Sequence, residues 1–342
     1  MRAGYMPAVG AAEFRDDMPE PQIGKADDVK IKIHNCGICG SEVHAYHGLH
    51  PFRIPPIVSG HELSGEVVEV GSGVTKFRVG DRVTAEPHYG CGECWYCKHR
   101  LYNVCPNKKV LGSFDWSGAL GEYVVVPEKT VMRLPEKLTY EEGALIEPIA
   151  NGMYAVRNSK IDAETNIVVI GCGPIGIGDF LCARLYDPRS ILMVDVADFN
   201  LQKAREMGAE LTCNSRSENL YERVMELTGG VGADLVFLAY GDAPTLQQAA
   251  EICRRGGQLV QHALMEDGIG FPYRVHQQHE LDFKAYNMYT NEDFRLIAEA
   301  IDAGKMDLGH FVTQRYPIEQ FAEAMHMADK RPEPVLKVMM TF

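Results

Sequence analysis

Ile167-Val168-Val169-Ile170-Gly171-Cys172-Gly173-Pro174-Ile175-Gly176 passes from a short apolar run into G-x-G-x-x-G, and then into a helical stretch from Ile175 to Tyr186. An apolar run of this length bounded by glycine reads as a buried strand. Gly171 permits the turn, Gly173 lets a pyrophosphate approach backbone N–H groups, and Gly176 lets the helix pack closely on the strand. Pro174 removes one donor but leaves the amides at the helix start free to face an anion. A second strand, Ile191 to Val194, ends at Asp195. That carboxylate suits the adenosine ribose hydroxyls of a dinucleotide, and Val196, Ala197 and Asp198 supply no arginine for a 2′-phosphate, which favours NAD over NADP. The expected coenzyme site is therefore Gly171, Gly173, Pro174, Ile175, Gly176 and Asp195.

Downstream of this turn, a helix over Asn200 to Met207 stops at Gly208, and Ala233 to Leu238 and Leu259-Val260 read as further strands. Strands alternating with helices imply a parallel sheet covered by helices, assigned here to residues 151–287. Upstream, residues 1–150 are rich in glycine, proline and short β-type runs such as Val29 to Ile33 and Gly65 to Gly71, a pattern expected of a barrel-like β domain. Residues 288–342 return to mixed structure, with helices over Leu296 to Ala303 and Ile318 to Ala328 and a closing strand over Val335 to Val338. The 342 residues, 46% of them hydrophobic, suffice for two cores. A net charge of -13 disfavours nucleic acid or an anionic membrane as partner, and no run approaches the roughly 20 apolar residues of a membrane span. Ten cysteines are few for a disulfide scaffold, so a reducing, cytoplasmic setting is expected.

Four of those cysteines are grouped. Cys91, Cys94 and Cys97 are each separated by two intervening residues and Cys105 follows within a lobe spanning 88–108. Such spacing aims thiolates inward on one loop and predicts a closed, structural Zn²⁺ site, with an iron–sulfur cluster as the rival use of the same ligands. Trp95 and Tyr96 read as packing residues of this lobe. A second donor set is looser: Cys39, in Cys39-Gly40-Ser41-Glu42-Val43-His44, and His61-Glu62 after Gly60. A thiolate, an imidazole and a carboxylate would hold Zn²⁺ with a position left for substrate, although a histidine beside glycine is more often a hydrogen-bonded turn residue. Cys36 reads as core, and Cys172, Cys182, Cys213 and Cys253 as buried thiols.

Together these pieces resemble the zinc-dependent medium-chain dehydrogenase/reductase family from near the N-terminus to Phe342. Gly60-His-Glu-x-x-Gly65-x-x-x-x-x-Gly71-x-x-Val74 is similar to its zinc motif, Gly80-Asp-Arg-Val83 follows in place, and the four-cysteine lobe sits where that family has one. The resemblance implies an α/β protein: a barrel-like catalytic domain with an inserted Rossmann-type, doubly wound nucleotide domain. It implies that Cys39, His61, Glu62 and Glu147 serve the catalytic zinc, that Ser41 takes the substrate proton and that His44 is the outer relay. Glu147, where simple alcohol dehydrogenases have cysteine, points to the polyol or threonine branch.

Several positions depart from the family pattern. Glu42 replaces an aspartate, Arg100 a glycine, and in Glu280 to Tyr289 the residues Asn287 and Met288 replace a Phe-Arg pair that would face a sorbitol-like substrate. The expected function is NAD-dependent oxidation of a secondary hydroxyl on a small polyol, sugar or cyclitol, reversible to ketone reduction. Threonine or short-diol oxidation is the enzymic alternative, and a catalytically inactive, NAD-sensing interaction protein is the alternative of another class. Relatives imply a homodimer or homotetramer.

Overall fold

The computed structural model describes residues 1–113, 116–262 and 269–342. The strands of its two main sheets are, in order, β1 (Asp28–Ile38), β2 (Glu62–Val70), β3 (Arg82–Ala85), β4 (Tyr123–Pro127) and β5 (Val131–Arg133). Then come β6 (Asn166–Ile170), β7 (Ser190–Asp195), β8 (Leu211–Asn214), β9 (Ala233–Leu238), β10 (Cys253–Gln261) and β11 (Asp282–Ala285). The chain closes on β12 (Gln314–Pro317) and β13 (Val338–Thr341). The helices that matter below are α1 (Gly40–Tyr46), α2 (Tyr140–Arg157), α3 (Pro174–Arg184), α4 (Asn291–Asp302) and α5 (Phe321–Lys330).

Two compact units divide the chain: Met1–Glu147 with Thr290–Gly304 and Val312–Phe342, and Pro148–Tyr289 with Lys305–Phe311. In the first, the strand order is β12-β13-β1-β2-β3-β5, with β4 also paired to β1. The long β1 is the hub of this barrel-like sheet. Its first half pairs with β4, its second half with β13, and it runs against β2 through two register shifts. Val29, Ile31 and Ile33 are fully buried while Lys32 is exposed, so one face of β1 supplies the core. Helix α4 opens with Thr290, whose N–H and hydroxyl both donate to Asp293 at 2.8 Å. It buries Phe294, Ile297, Ala298 and Ile301 along one stripe.

The second unit has six parallel strands in the order β8-β7-β6-β9-β10-β11, that is 3-2-1-4-5-6 within the unit. This is the doubly wound Rossmann arrangement, whose order reverses between β6 and β9. Its strands are apolar on both faces: Ile167 to Ile170, Leu192 to Val194 and Leu235 to Leu238 are all buried.

Several element boundaries differ from the reading of the sequence: the helix expected from Leu296 begins at Asn291, that expected from Ile318 begins at Phe321, and two strands also shift. The strand expected at Leu259-Val260 begins at Cys253 and runs through Gly256-Gly257, where Gly256 takes a φ of 68°. The closing strand starts at Val338 rather than Val335. The N–H groups of Leu336 and Lys337 go instead to the Thr313 hydroxyl, at 3.0 and 3.4 Å, and so are lost to a ladder. Among the described residues no helix is long and apolar enough to cross a membrane.

Candidate metal and coenzyme sites

Cys91, Cys94, Cys97 and Cys105 meet in the first unit. Their sulfurs lie 3.5 Å (Cys94 to Cys97), 3.6 Å (Cys94 to Cys105 and Cys105 to Cys91) and 3.9 Å (Cys91 to Cys97) apart. A tetrahedron with Zn–S bonds of about 2.3 Å has edges of about 3.8 Å, so the donor set fits a closed zinc site and is far too open for disulfides. Arg100 adopts a φ of 64° in this lobe. The left-handed turn that glycine usually fills is thus kept despite the side chain.

The second donor set forms around α1. Cys39 caps this helix, and its N–H donates to Glu42 Oε2 at 3.0 Å, so the loop carrying the thiol is fixed by a carboxylate one turn on. Glu42 also accepts from Ser59 Oγ at 2.8 Å and from the Gly60 N–H at 3.3 Å, and its Oε1 lies 3.0 Å from His61 Nδ1. Burial alone would raise the pKa of Glu42, but His61 and Arg53 hold it well below the ordinary carboxylate range. Arg53 lies 3.6 Å from Glu42 and is tied to the carbonyls of Leu111 and Gly112 at 3.2 and 3.4 Å. Glu42 therefore fixes the orientation of His61 and points its Nε2 the other way, as second-layer carboxylates do at metal sites.

That Nε2 lies 3.9 Å from Glu147 Oε1. Donor atoms of Cys39, Glu42 and His61, and again those of His61, Glu62 and Glu147, fall within 4.8 Å of one another. Glu62 has a further partner. Lys337 Nζ donates to both its oxygens, at 2.6 and 2.7 Å, and to Ile38 O at 3.3 Å, in a buried pair. A Cβ on Gly37 would collide with the Glu62 carboxylate, so a glycine on β1 makes room for it. Ser41 Oγ is buried without a hydrogen-bond partner among the described residues, whereas His44, three residues along α1, is exposed.

In the second unit Gly171 takes a φ of 98°, and a Cβ on Gly176 would strike the Gly171 carbonyl. A Cβ on Gly173 would meet nothing within 4 Å, which leaves open the approach that a pyrophosphate needs at the start of α3. Pro174 is the first residue of α3 and Ile175 the second. Asp195 ends β7, accepting from the N–H groups of Cys172 and Ala197 at 2.8 Å each and from Asn200 Nδ2 at 3.1 Å. It thereby buttresses the glycine turn. In the segment 280–289, Asn287 is exposed, Met288 has a φ of 59° and Tyr289 is 1% exposed, packed as core.

Lys337, Arg53 and the orienting role of Glu42 are not evident in the sequence. The only trace of Lys337 is a lone cation in the apolar run Val335-Leu-Lys-Val338.

Residues 25–136 match the alcohol dehydrogenase GroES-like domain, and residues 174–303 match the zinc-binding dehydrogenase domain. The sorbitol dehydrogenase of Bacillus subtilis (strain 168) is 33% identical over 330 residues, covering 95% of this chain and 92% of that protein. The D-arabitol-phosphate dehydrogenase of Enterococcus avium is 33% identical over 302 residues, covering 87% and 86%. Among solved structures, galactitol-1-phosphate dehydrogenase from Escherichia coli matches with a TM-score of 0.92 at 26% identity, over 100% of each chain.

Proposed function

We propose the following roles for the residues of this chain, which belongs to the zinc-dependent medium-chain dehydrogenases on their polyol branch. It is an NAD-dependent zinc enzyme of small hydroxylated substrates, moving a hydride between a secondary alcohol and the coenzyme. When bound, zinc would supply a Lewis acid for the substrate oxygen and NAD an acceptor for the hydride.

The chain's own part is orientation and proton movement. Cys39, His61 and Glu147 are the donors we assign to the cation. Glu62 stays beside them but is held by Lys337. Glu42 keeps the His61 Nδ1 proton and so leaves Nε2 free to act as a donor. Ser41 Oγ would take the substrate's hydroxyl proton while releasing its own outward, toward His44. Ser41 and His44 are three residues apart and share a face of α1, so the proton can pass from a buried to an exposed group. Gly171, Gly173, Pro174, Ile175 and Gly176 would hold the pyrophosphate and Asp195 the adenosine ribose.

The observation that carries this reading is the His61 imidazole fixed between Glu42 and Glu147, with Cys39 beside it. A carboxylate at position 147 makes the site harder than a two-thiolate one at the same formal charge, which suits a substrate presenting several hydroxyls. The test is a panel of hexitols, pentitols, their phosphates, cyclitols, threonine and 2,3-butanediol, with NADH formation followed by absorbance. A polyol or polyol phosphate is expected to give the highest kcat/KM, and Cys39→Ala to abolish turnover while NADH still binds. Preference for butanediol or threonine, or undiminished activity in Cys39→Ala, would refute the assignment.

A further inference from the structure

Helix α3 carries a charged-type residue where a packing helix needs none. Asp179 is fully buried within Gly176 to Ala183, a stretch of α3 that is buried on all sides among apolar residues such as Ile177, Phe180 and Leu181. It is the sixth residue of the helix, beyond the first turn, where the helix N-terminus offers an anion little. Neither carboxyl oxygen has a hydrogen-bond partner among the described residues. The polar atom facing it belongs to His262, whose Nε2 lies 3.4 Å from Asp179 Oδ1, with side-chain exposures of 4% and 0%.

His262 follows the last residue of β10. Its own N–H donates to Leu238 O, at the end of β9, over 3.0 Å, and its ring lies 5.9 Å from that of Phe237. The pair thus joins α3, which starts at the glycine turn, to the carboxyl end of β10. The edge where strand order reverses, between β6 and β9, lies between these two attachments, and dinucleotides cross doubly wound sheets at that edge.

Burial sets the protonation. It pushes Asp179 well above the usual carboxyl range and His262 down to about 4. Burial thus favours the neutral form of each group. A neutral carboxyl has one O–H to give and a neutral imidazole one nitrogen to receive it. One proton between them satisfies both groups and leaves no net charge in the core, whereas either group facing an apolar partner would be a buried orphan.

We propose that Asp179 and His262 form a one-proton clamp that fixes the end of β10 against the glycine-turn helix, and that they are positioning residues for NAD binding. This rests on the coenzyme assignment and is independent of the substrate, so NADH binding by the unaltered protein is measured first, by fluorescence.

Asp179→Asn keeps a donor for the imidazole and should bind NADH within about twofold of the parent, whereas Asp179→Leu should weaken binding about tenfold, raising KM for NAD with kcat little changed. The Asp179→Leu/His262→Leu pair removes both polar groups; it should regain thermal stability while NADH binding stays weak. In case Asp179→Leu does not fold, nitrogen NMR of the intact protein provides the second measurement. His262 Nε2 should appear as an unprotonated, hydrogen-bonded nitrogen that does not titrate between about pH 6 and 8, and Asp179→Asn should shift it. The proposal fails if His262 titrates near its ordinary value, if Asp179→Leu binds NADH like the parent, or if the double variant restores coenzyme binding together with stability.

Discussion

Replacing Lys337 by methionine removes the cation from a pair in which Nζ is 2.6 and 2.7 Å from the two oxygens of Glu62, with side-chain exposures of 3% and 1%. Burial disfavours the charge of Lys337, yet Glu62 first, then Cys39 and Glu147, keep it firmly protonated, its pKa raised above the ordinary value. Deleting the cation strands a carboxylate that water cannot reach. Breaking one side of a buried pair costs about 3–5 kcal/mol, far more than the about 0–1 kcal/mol of an exposed pair such as Arg295 with Glu299. For a unit of 150–250 residues about 1 kcal/mol lowers Tm by about 2–4 °C, so Lys337→Met should fall by roughly 6–20 °C in calorimetry. Converting Glu62 to glutamine in the same chain removes the stranded charge and should recover at least half of the loss. A drop of less than about 3 °C in Lys337→Met, or a double variant no more stable than the single, would refute the claim that this contact is a buried, mutually dependent pair.

Glu86 is pushed up to about 8 by burial, only partly opposed by hydrogen bonds from Tyr102 and Asn291. A carboxyl raised in the folded state stabilises while protonated, fully below its ordinary value of 4.5, and that contribution is lost as pH rises through about 8. At about 1.4 kcal/mol per pH unit the loss approaches about 3–5 kcal/mol, so Glu86→Gln should flatten the decline in Tm between about pH 5 and 8, and an unchanged slope would count against this protonated state. In the cysteine lobe, Cys97→Ser should lower bound zinc from about two to about one per chain by atomic absorption and lower Tm, while NADH binding persists. Retention of both metals would contradict the four-thiolate assignment.

The parts of the fold legible in the sequence were those fixed by local pattern. The run 167–176 gives strand, turn and helix because each glycine meets a steric demand within a few residues of itself, seen in the Gly171 φ and in the Gly176 contact with the Gly171 carbonyl. The cysteine lobe is legible for the same reason: three of its ligands lie on one short loop. The boundaries that slipped were decided by partners distant in the chain. Val335 and Leu336 have a strand's composition, but the Thr313 hydroxyl takes the amides of Leu336 and Lys337.

Buried polar pairs lie beyond local pattern altogether. Lys337 and Glu62 are 275 residues apart, so composition offers only an isolated cation in an apolar run. Glu42 shows how a departure from a family pattern can be read once its partners are known. A carboxylate longer than aspartate still reaches His61 at 3.0 Å, and it does so while also holding the Cys39 N–H and facing Arg53 at 3.6 Å. The extra methylene is accommodated by partners on both sides of the carboxylate, and the imidazole keeps the orientation a metal ligand needs. A substitution in the supporting shell can therefore leave the donors of a site in place, and Glu147, the carboxylate we assign where a simple alcohol dehydrogenase has cysteine, is the position proposed to bear on the substrate.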